Sequence, residues 1–288
     1  MNNMNVRKKL KTFPVIGHIG QKISGWFRTE RGHFRWWWWY FRDRKALWPN
    51  RALKNTAADK RCFILATGPS INKMDLKKLK GEFCISVSNF FLHPDFSVIK
   101  PEYHVFAGSH APLTDEQFRD WFEDAGKKMP EGQKVFVALT DKPIVDKYKL
   151  FSKQRVFYYF ATMRLKPVRK INLARRLPAI QTSPHTAMFI ALYLGVKEIN
   201  LAGIDHDWIR HVGETRHFYD EKDSTLSRQS YNEWHNPLEV TLRSYLNLWQ
   251  MYRYIKQYAD ARGIKIYNTT PGSLLDVLPK KNLEDTLL

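Results

Sequence analysis

Thr182-Ser183-Pro184-His185, the run Thr186–Leu194, Gly195, and then Val196-Lys197-Glu198-Ile199-Asn200-Leu201-Ala202-Gly203-Ile204-Asp205 make up the stretch on which the fold turns. Its alanines, with Met188, Phe189, Ile190 and Leu192, leave no polar side to the segment, which predicts a helix buried all round. Gly195 predicts the end of that helix, and Ile199–Ala202 predicts the start of a buried strand. Upstream, Arg61-Cys62-Phe63-Ile64-Leu65-Ala66 is a short continuous apolar run, as a parallel strand covered on both faces requires. It leads into Thr67-Gly68-Pro69-Ser70 and a predicted helix over Ile71–Lys80. A strand, a glycine turn and a helix start would set backbone N–H groups where a phosphate can sit, with Ser70 capping the helix.

The same alternation continues on both sides. Phe83–Ser88 reads as a second strand, with Asn89 at its C-terminal end, the edge where open α/β sheets bind ligands. Tyr103–Ala107, Lys134–Leu139 and Arg155–Phe160 read as further strands, and Thr114–Lys128 as a helix with Trp121 and Phe122 on its apolar face. A basic, proline-punctuated connection, Arg164–Pro178, follows. Downstream, Leu238–Ala261 is a long amphipathic helix whose broad apolar face predicts packing on the sheet. Gly263 and the strand Ile264–Tyr267 come next. The expected architecture is α/β: a Rossmann-like, mostly parallel sheet flanked by helices over residues 59–288, with a lid at about 206–237.

The chain has 288 residues and a formal charge of +19. Hydrophobic residues at 43% are enough for a large core and exclude a disordered or collagen-like chain. The charge is uneven: residues 1–60 hold 14 Lys/Arg against 3 acids. Within residues 1–58 stand Trp36-Trp37-Trp38-Trp39-Tyr40-Phe41, with Trp26, Phe27 and Trp48 nearby and Arg35, Arg42 and Arg44 flanking. Rings that bury an apolar body and keep a wet edge, set among cations, predict a membrane-surface extension that docks on anionic lipid without spanning it. The alternative is that these aromatics pack onto the main domain. A nucleic-acid partner is not expected, because no RNA- or DNA-binding signature accompanies the charge. No run reaches the roughly 18 apolar residues of a membrane span, and Thr12–Ser24 is too polar for a signal-peptide core. Cys62 and Cys84 are expected as inert buried thiols in a reducing compartment. The expected location is peripheral, on the cytoplasmic face of the inner membrane.

Gly68-Pro69-Ser70, Asn89, Thr182-Ser183, the Leu-Gly-x-Lys-Glu-Ile-x-Leu-x-Gly-Ile-Asp run at 194–205 and Pro271-x-Ser273-Leu274-Leu275 together resemble the bacterial sialyltransferases of glycosyltransferase family 42. The resemblance covers about residues 60–278, in short islands. It implies a Rossmann-like sheet binding a CMP-activated, sialic-acid-like or Kdo-like sugar for transfer to a lipid-linked or lipopolysaccharide-type glycan. It further implies that Gly68, Ser70, Asn89 and Ser183 contact CMP, with Thr67, Thr182, Asp205 and Ser273 completing the donor site. Thr67 is a departure, since that family usually has Asn there.

Between Asp205 and Pro237 lie four of the ten histidines, His206, His211, His217 and His235. Inverting sugar transfer needs a base for the acceptor hydroxyl and donors for the departing phosphate. Histidine suits the first task, and Tyr, Arg or Lys the second. By the resemblance the base is a lid histidine: His235, just before the last long helix, or His217. Tyr219 and Tyr231 are the phosphate-holding candidates. Asp205-His206-Asp207 reads superficially as the metal-anchoring Asp-x-Asp of diphosphate-sugar transferases. A monophosphate leaving group does not demand a divalent ion, so no metal or other cofactor is expected. The competing functions are an Mg²⁺- and ATP-dependent pyrophosphokinase-like enzyme, which shares a Gly-Pro-Ser turn, and a non-catalytic membrane-associated scaffold. Association into a homo-oligomer is left open by the residues.

Overall fold

Seven short strands pair in parallel in the order β5-β4-β3-β2-β1-β6-β7. They are β1 Arg61–Leu65, β2 Phe83–Val87, β3 Tyr103–Val105, β4 Lys134–Ala138, β5 Arg155–Tyr159, β6 Glu198–Ala202 and β7 Lys265–Asn268. This computed structural model describes residues 37–110, 113–211, 217–219 and 238–287. In β1, β2, β4 and β6 every residue but the first is buried, which is the pattern of parallel strands covered on both faces. Cys62 in β1 and Cys84 in β2 are free and buried.

The chain lays strands outward from β1 to β5, then returns to the other side of β1 for β6 and β7. β1 therefore pairs with both β2 and β6, and the order reverses between β1 and β6. In an open α/β sheet, the crevice beyond the strand C-termini at such a reversal is where ligands bind.

Local chemistry explains the helices that frame this edge. α1 (Asp115–Lys128) starts on a reciprocal cap: the Gln117 N–H donates to Thr114 Oγ1 at 3.3 Å and the Thr114 N–H donates to Gln117 Oε1 at 2.9 Å. α2 is Lys142–Tyr148, and α3 is Ser183–Leu194, every residue of which from Pro184 onward is buried. α3 packs against β1, β2 and β3 and against α4 (Leu238–Asp260). A last short helix, α5, is Leu283–Leu287.

Three expectations change. Ile71–Lys80 is not one helix but two 3₁₀ turns, Pro69–Lys73 and Leu76–Leu79, separated by extended backbone at Met74. α3 begins at Ser183, earlier than Thr186. The apolar face of α4 is buried only from Leu248 onward, at Leu248, Met251, Tyr252, Ile255 and Ala259; Leu238, Val240, Leu242 and Leu246 are exposed.

The chain divides into two compact units, Met1–Arg44 and Lys45–Leu288. In the first, residues 37–43 are helical; Trp37, Trp38 and Phe41 are exposed, and the Arg42 guanidinium lies 4.8 Å from the Trp38 ring and 4.1 Å from the Trp39 ring. In the second, residues 45–58 are built onto the sheet. Leu47 and Asn50 are fully buried, Asn50 Nδ2 donates to the carbonyls of Tyr158 and Leu173, and the Ala57 N–H donates to Leu194 O. Among the described residues no helix is long and apolar enough to cross a membrane.

Candidate functional site at the sheet reversal

Beyond the C-termini of β1 and β6 the backbone turns from Ala66 to Ser70 and from Gly203 to Asp205 lie against one another. The Ala66 N–H donates to Ala202 O and the Gly68 N–H to Gly203 O, both at 2.9 Å. Gly203 has φ +71, and a Cβ there would meet Ala66 O at 2.8 Å. Gly68 is required for a different reason. Its φ is an ordinary −64, but a Cβ would stand 1.8 Å from Asp205 Oδ2 and 2.6 Å from Gly203 O. Asp205 in turn accepts from the Ser70 N–H at 3.2 Å and from Ser70 Oγ at 2.8 Å.

This clamp corrects two expectations. Ser70 does not cap a helix; its hydroxyl proton is committed to Asp205. The turn also does not offer a row of amides to a phosphate. Gly68 and Ser70 direct their N–H groups to Gly203 and Asp205, the Ile71 N–H donates to Gly68 O, and Pro69 has none.

Asp205 is held from behind. Ser273 is buried, and its hydroxyl donates to Ile204 O at 2.6 Å while accepting from Asn268 Nδ2 and the Leu275 N–H. The Ile204 N–H donates to Thr270 Oγ1, and the Leu274 N–H donates to Asp205 O. Ser273, expected at the donor site, thus braces the turn that carries Asp205. The next residue, His206, has φ +48 and is buried, with Nε2 2.8 Å from Tyr252 OH of α4. Burial drives its pKa down to about 3, and that of neighbouring His185 well below the usual histidine range, so both rings are neutral. His206, expected in the lid, is a core residue. Asp207 faces His211 Nε2 at 3.4 Å, and among the described residues no group of three or more His, Cys, Asp or Glu could hold a metal ion.

One strand over, the polar groups differ. β2 runs into Ser88, at φ +56, and Asn89. The Ser88 carbonyl meets Nε2 of buried His104, whose Nδ1 lies 2.7 Å from Ser86 Oγ; burial keeps that histidine neutral, with a pKa of about 3. Ser88 Oγ donates to Ser183 Oγ at 3.1 Å, which brings the start of α3 to the rim. Thr182, the residue before α3, is extended and makes no side-chain cap. Asn89 is oriented from both ends: Trp121 Nε1 donates to its Oδ1, and its Nδ2 donates to Tyr219 OH at 2.8 Å. The ring of His217 stacks on that of Tyr219, with centroids 4.9 Å apart, and its Nδ1 lies 3.3 Å from Thr67 Oγ1. Phe218, between them, donates its N–H to Thr67 O and packs on Phe90 and His93.

Of the residues expected at the site, Thr67, Gly68, Ser70, Asn89, Thr182, Ser183, Asp205, His217 and Tyr219 gather at this edge. Tyr231 and His235 lie outside the described residues, as does most of the expected lid. Trp121, His104 and Ser88 were not singled out as site residues. Trp121 was read only as part of an apolar face, and nothing local to it marks the indole N–H as the partner of Asn89.

No family model matches the sequence, and no curated protein matches it. Among solved structures the chain is similar to a variant of the sialyltransferase CST-II in complex with CMP, at 15% identity and a TM-score of 0.45, over 77% of this chain and 86% of that one.

Proposed function

We propose that this chain is an inverting glycosyltransferase that moves a sialic-acid-like or Kdo-like sugar from a CMP donor to a lipid-linked or lipopolysaccharide-type glycan. One observation carries the reading: at the reversal of a parallel sheet, the start of α3 (Thr182, Ser183), the end of β2 (Ser88, Asn89) and the segment 217–219 meet on one rim. Two of them, Asn89 and Ser183, are residues that the resemblance to family 42 assigns to CMP.

In this reading the phosphate sits at the N-terminus of α3, where the helix dipole and the Ser183 hydroxyl favour an anion, and not on the β1 turn, whose amides are taken. Asn89, fixed by Trp121, presents its amide to the nucleotide. Tyr219, accepting from Asn89, donates to an oxygen of the departing phosphate as negative charge collects there. A lid histidine removes the proton of the acceptor hydroxyl as that oxygen bonds to the anomeric carbon and the bond to the CMP oxygen breaks. His217, beside Thr67, is the candidate within the described residues, and His235 is the other. Asp205 acts through Ser70 by holding the β1 and β6 turns together. The described residues provide no metal cluster, and no step here is assigned to one.

The exposed rings of Trp37, Trp38 and Phe41, with Arg42 over the aromatic run, support the second part of the reading. The first unit would rest on an anionic membrane at the cytoplasmic face, where an amphiphilic acceptor lies. Because residues 45–58 are part of the sheet unit, the test is loss of flotation with anionic liposomes on removal of residues 1–44 only. An equal fraction floating without them refutes it.

Thermal shift with CMP, CDP, UDP and ATP, each with and without Mg²⁺, tests the donor. CMP at 100 times its Kd should stabilise the protein by about 2.7 kcal/mol without Mg²⁺. Stabilisation by a uridine or adenosine diphosphate form but not by CMP refutes the donor, and Mg²⁺-dependent ATP turnover would establish the pyrophosphokinase alternative. Transfer that survives His217→Ala and His235→Ala separately would refute the lid base. If CMP binds but no sugar is transferred, the non-catalytic scaffold is the better description.

A further inference from the structure

The connection from β5 to α3 carries Arg164, Lys166, Arg169, Lys170, Arg175 and Arg176, all six exposed. From Lys147 to Lys197 the sequence contains no Asp or Glu. Among the described residues, no carboxylate pairs with Arg164, Lys166, Arg169, Lys170 or Arg175. A solvated surface ordinarily intersperses both signs, which relieves self-repulsion. Six cations within thirteen residues, with no acid among them, is a different arrangement.

The connection is also held in place. Ile171, Leu173, Ala174, Leu177 and Ala179 are buried, the Leu177 N–H donates to Phe160 O at 2.7 Å, and the Thr162 N–H donates to Leu177 O at 3.0 Å. Asn172 Oδ1 accepts from the Ala174 N–H and folds the turn that presents Arg175 and Arg176, while Asn50 ties down the Leu173 carbonyl. One end leaves the C-terminus of β5. The other is Thr182-Ser183, bonded to Ser88 beside Asn89. The backbone that carries the cations is therefore anchored, and its ends lie on the same sheet edge as the site, so a partner need not pay to order that backbone.

Composition selects the partner. Residues 161–182 contain no aromatic side chain. Single-stranded nucleic acid is bound by stacking platforms as well as charge, and membrane interfaces by aromatic and apolar surface; here Met163 is the one large apolar side chain that is exposed. Four of the six cations are arginines, whose planar forks match phosphate and carboxylate oxygens in pairs.

We infer that this surface is the acceptor subsite, and that the acceptor is a polyanionic glycan recognised through its phosphate groups. The inference rests on the transferase reading above. It is tested on the full chain by fluorescence anisotropy, with a labelled oligosaccharide bearing phosphomonoesters and the same oligosaccharide after phosphatase treatment. The native protein should prefer the phosphorylated form at least tenfold in low salt. The quadruple variant Arg169→Gln, Lys170→Gln, Arg175→Gln, Arg176→Gln should lose that preference while its melting temperature and its CMP-induced shift stay unchanged. Equal affinity for the two forms, or a preference that survives in the variant, overturns the inference. So does a variant whose only defect is weaker flotation with anionic vesicles, since the surface would then serve lipid headgroups. A native protein that shows the preference but is not stabilised by CMP keeps the anionic surface and refutes the donor reading instead.

Discussion

Replacing Gly68 with alanine tests whether the β1 and β6 turns are locked through Asp205. The backbone there, at φ −64 and ψ 147, suits alanine, so conformational strain contributes nothing. The added methyl would stand 1.8 Å from Asp205 Oδ2 and 2.6 Å from Gly203 O. Cβ contacts essentially never fall below 3.0 Å, so the carboxylate must withdraw by more than an ångström. It then loses its bonds to the Ser70 N–H and hydroxyl, each worth about 1.5–3 kcal/mol for a charged acceptor. Alanine restricts the unfolded chain and returns about 0.4–1 kcal/mol. A net loss of about 3–4 kcal/mol is expected, which at roughly 2–4 °C per kcal/mol lowers Tm by about 6–16 °C. Scanning calorimetry of Gly68→Ala, Asp205→Ala and the double variant checks both size and cause. Much of the clash disappears with the carboxylate, so the double variant should be more stable than additivity allows by at least about 1 kcal/mol. A Gly68→Ala melt within about 1 °C of the native protein, or strict additivity, would refute the clamp.

Three further outcomes are expected. Asp141, at the end of β4, is fully buried and accepts from the Ser109 N–H and hydroxyl; burial raises its pKa from 3.8 to about 6. Between those values the folded protein keeps a proton that the unfolded chain releases. Stability therefore falls as pH rises through that window, by up to about 3 kcal/mol in all, and is level above it. Urea denaturation of Asp141→Asn should show no such slope, and an unchanged slope would reject the assignment. Asn89→Ala strips the Trp121 indole N–H of its acceptor and should cost about 1–3 kcal/mol. Asn89→Asp keeps that acceptor, so it should cost less stability yet weaken CMP binding more by setting a carboxylate beside the phosphate; calorimetry and titration with CMP separate the two. Burial raises the pKa of the Cys62 and Cys84 thiols and keeps them protonated, so iodoacetamide at pH 8 should label neither in the native protein and both in urea; fast native labelling would contradict the strand placements.

The strands were legible because most are short, largely apolar runs of the right length, and all seven fall within a residue or two of the predicted ranges. α1 also lies where predicted, and the lack of a polar side announced the burial of α3, although α3 starts three residues earlier than expected. What pattern could not reveal is pairing across long sequence separation. Leu76 and Leu79 recur as in a helix, but that spacing fits a 3₁₀ turn equally, and extended Met74 breaks the segment. Ser70 resembles a helix cap in its own neighbourhood, yet its partner is Asp205, 135 residues away. His206 sits among polar residues and reads as lid, yet Tyr252, 46 residues on, draws it into the core.

These long-range pairs also change what the site can do. A glycine turn after the first strand suggests an anion cradle only while its amides are unengaged, and here Gly68, Ser70 and Ile71 direct theirs inward. In the proposed reading the anion sits instead at the start of α3 beside the Ser183 hydroxyl, which Ser88 positions; Pro184 brings no N–H there, and the His185 N–H donates to Thr182 O. On that reading the donor phosphate would sit where the cationic β5–α3 connection ends, so donor and anionic acceptor would meet across Ser183.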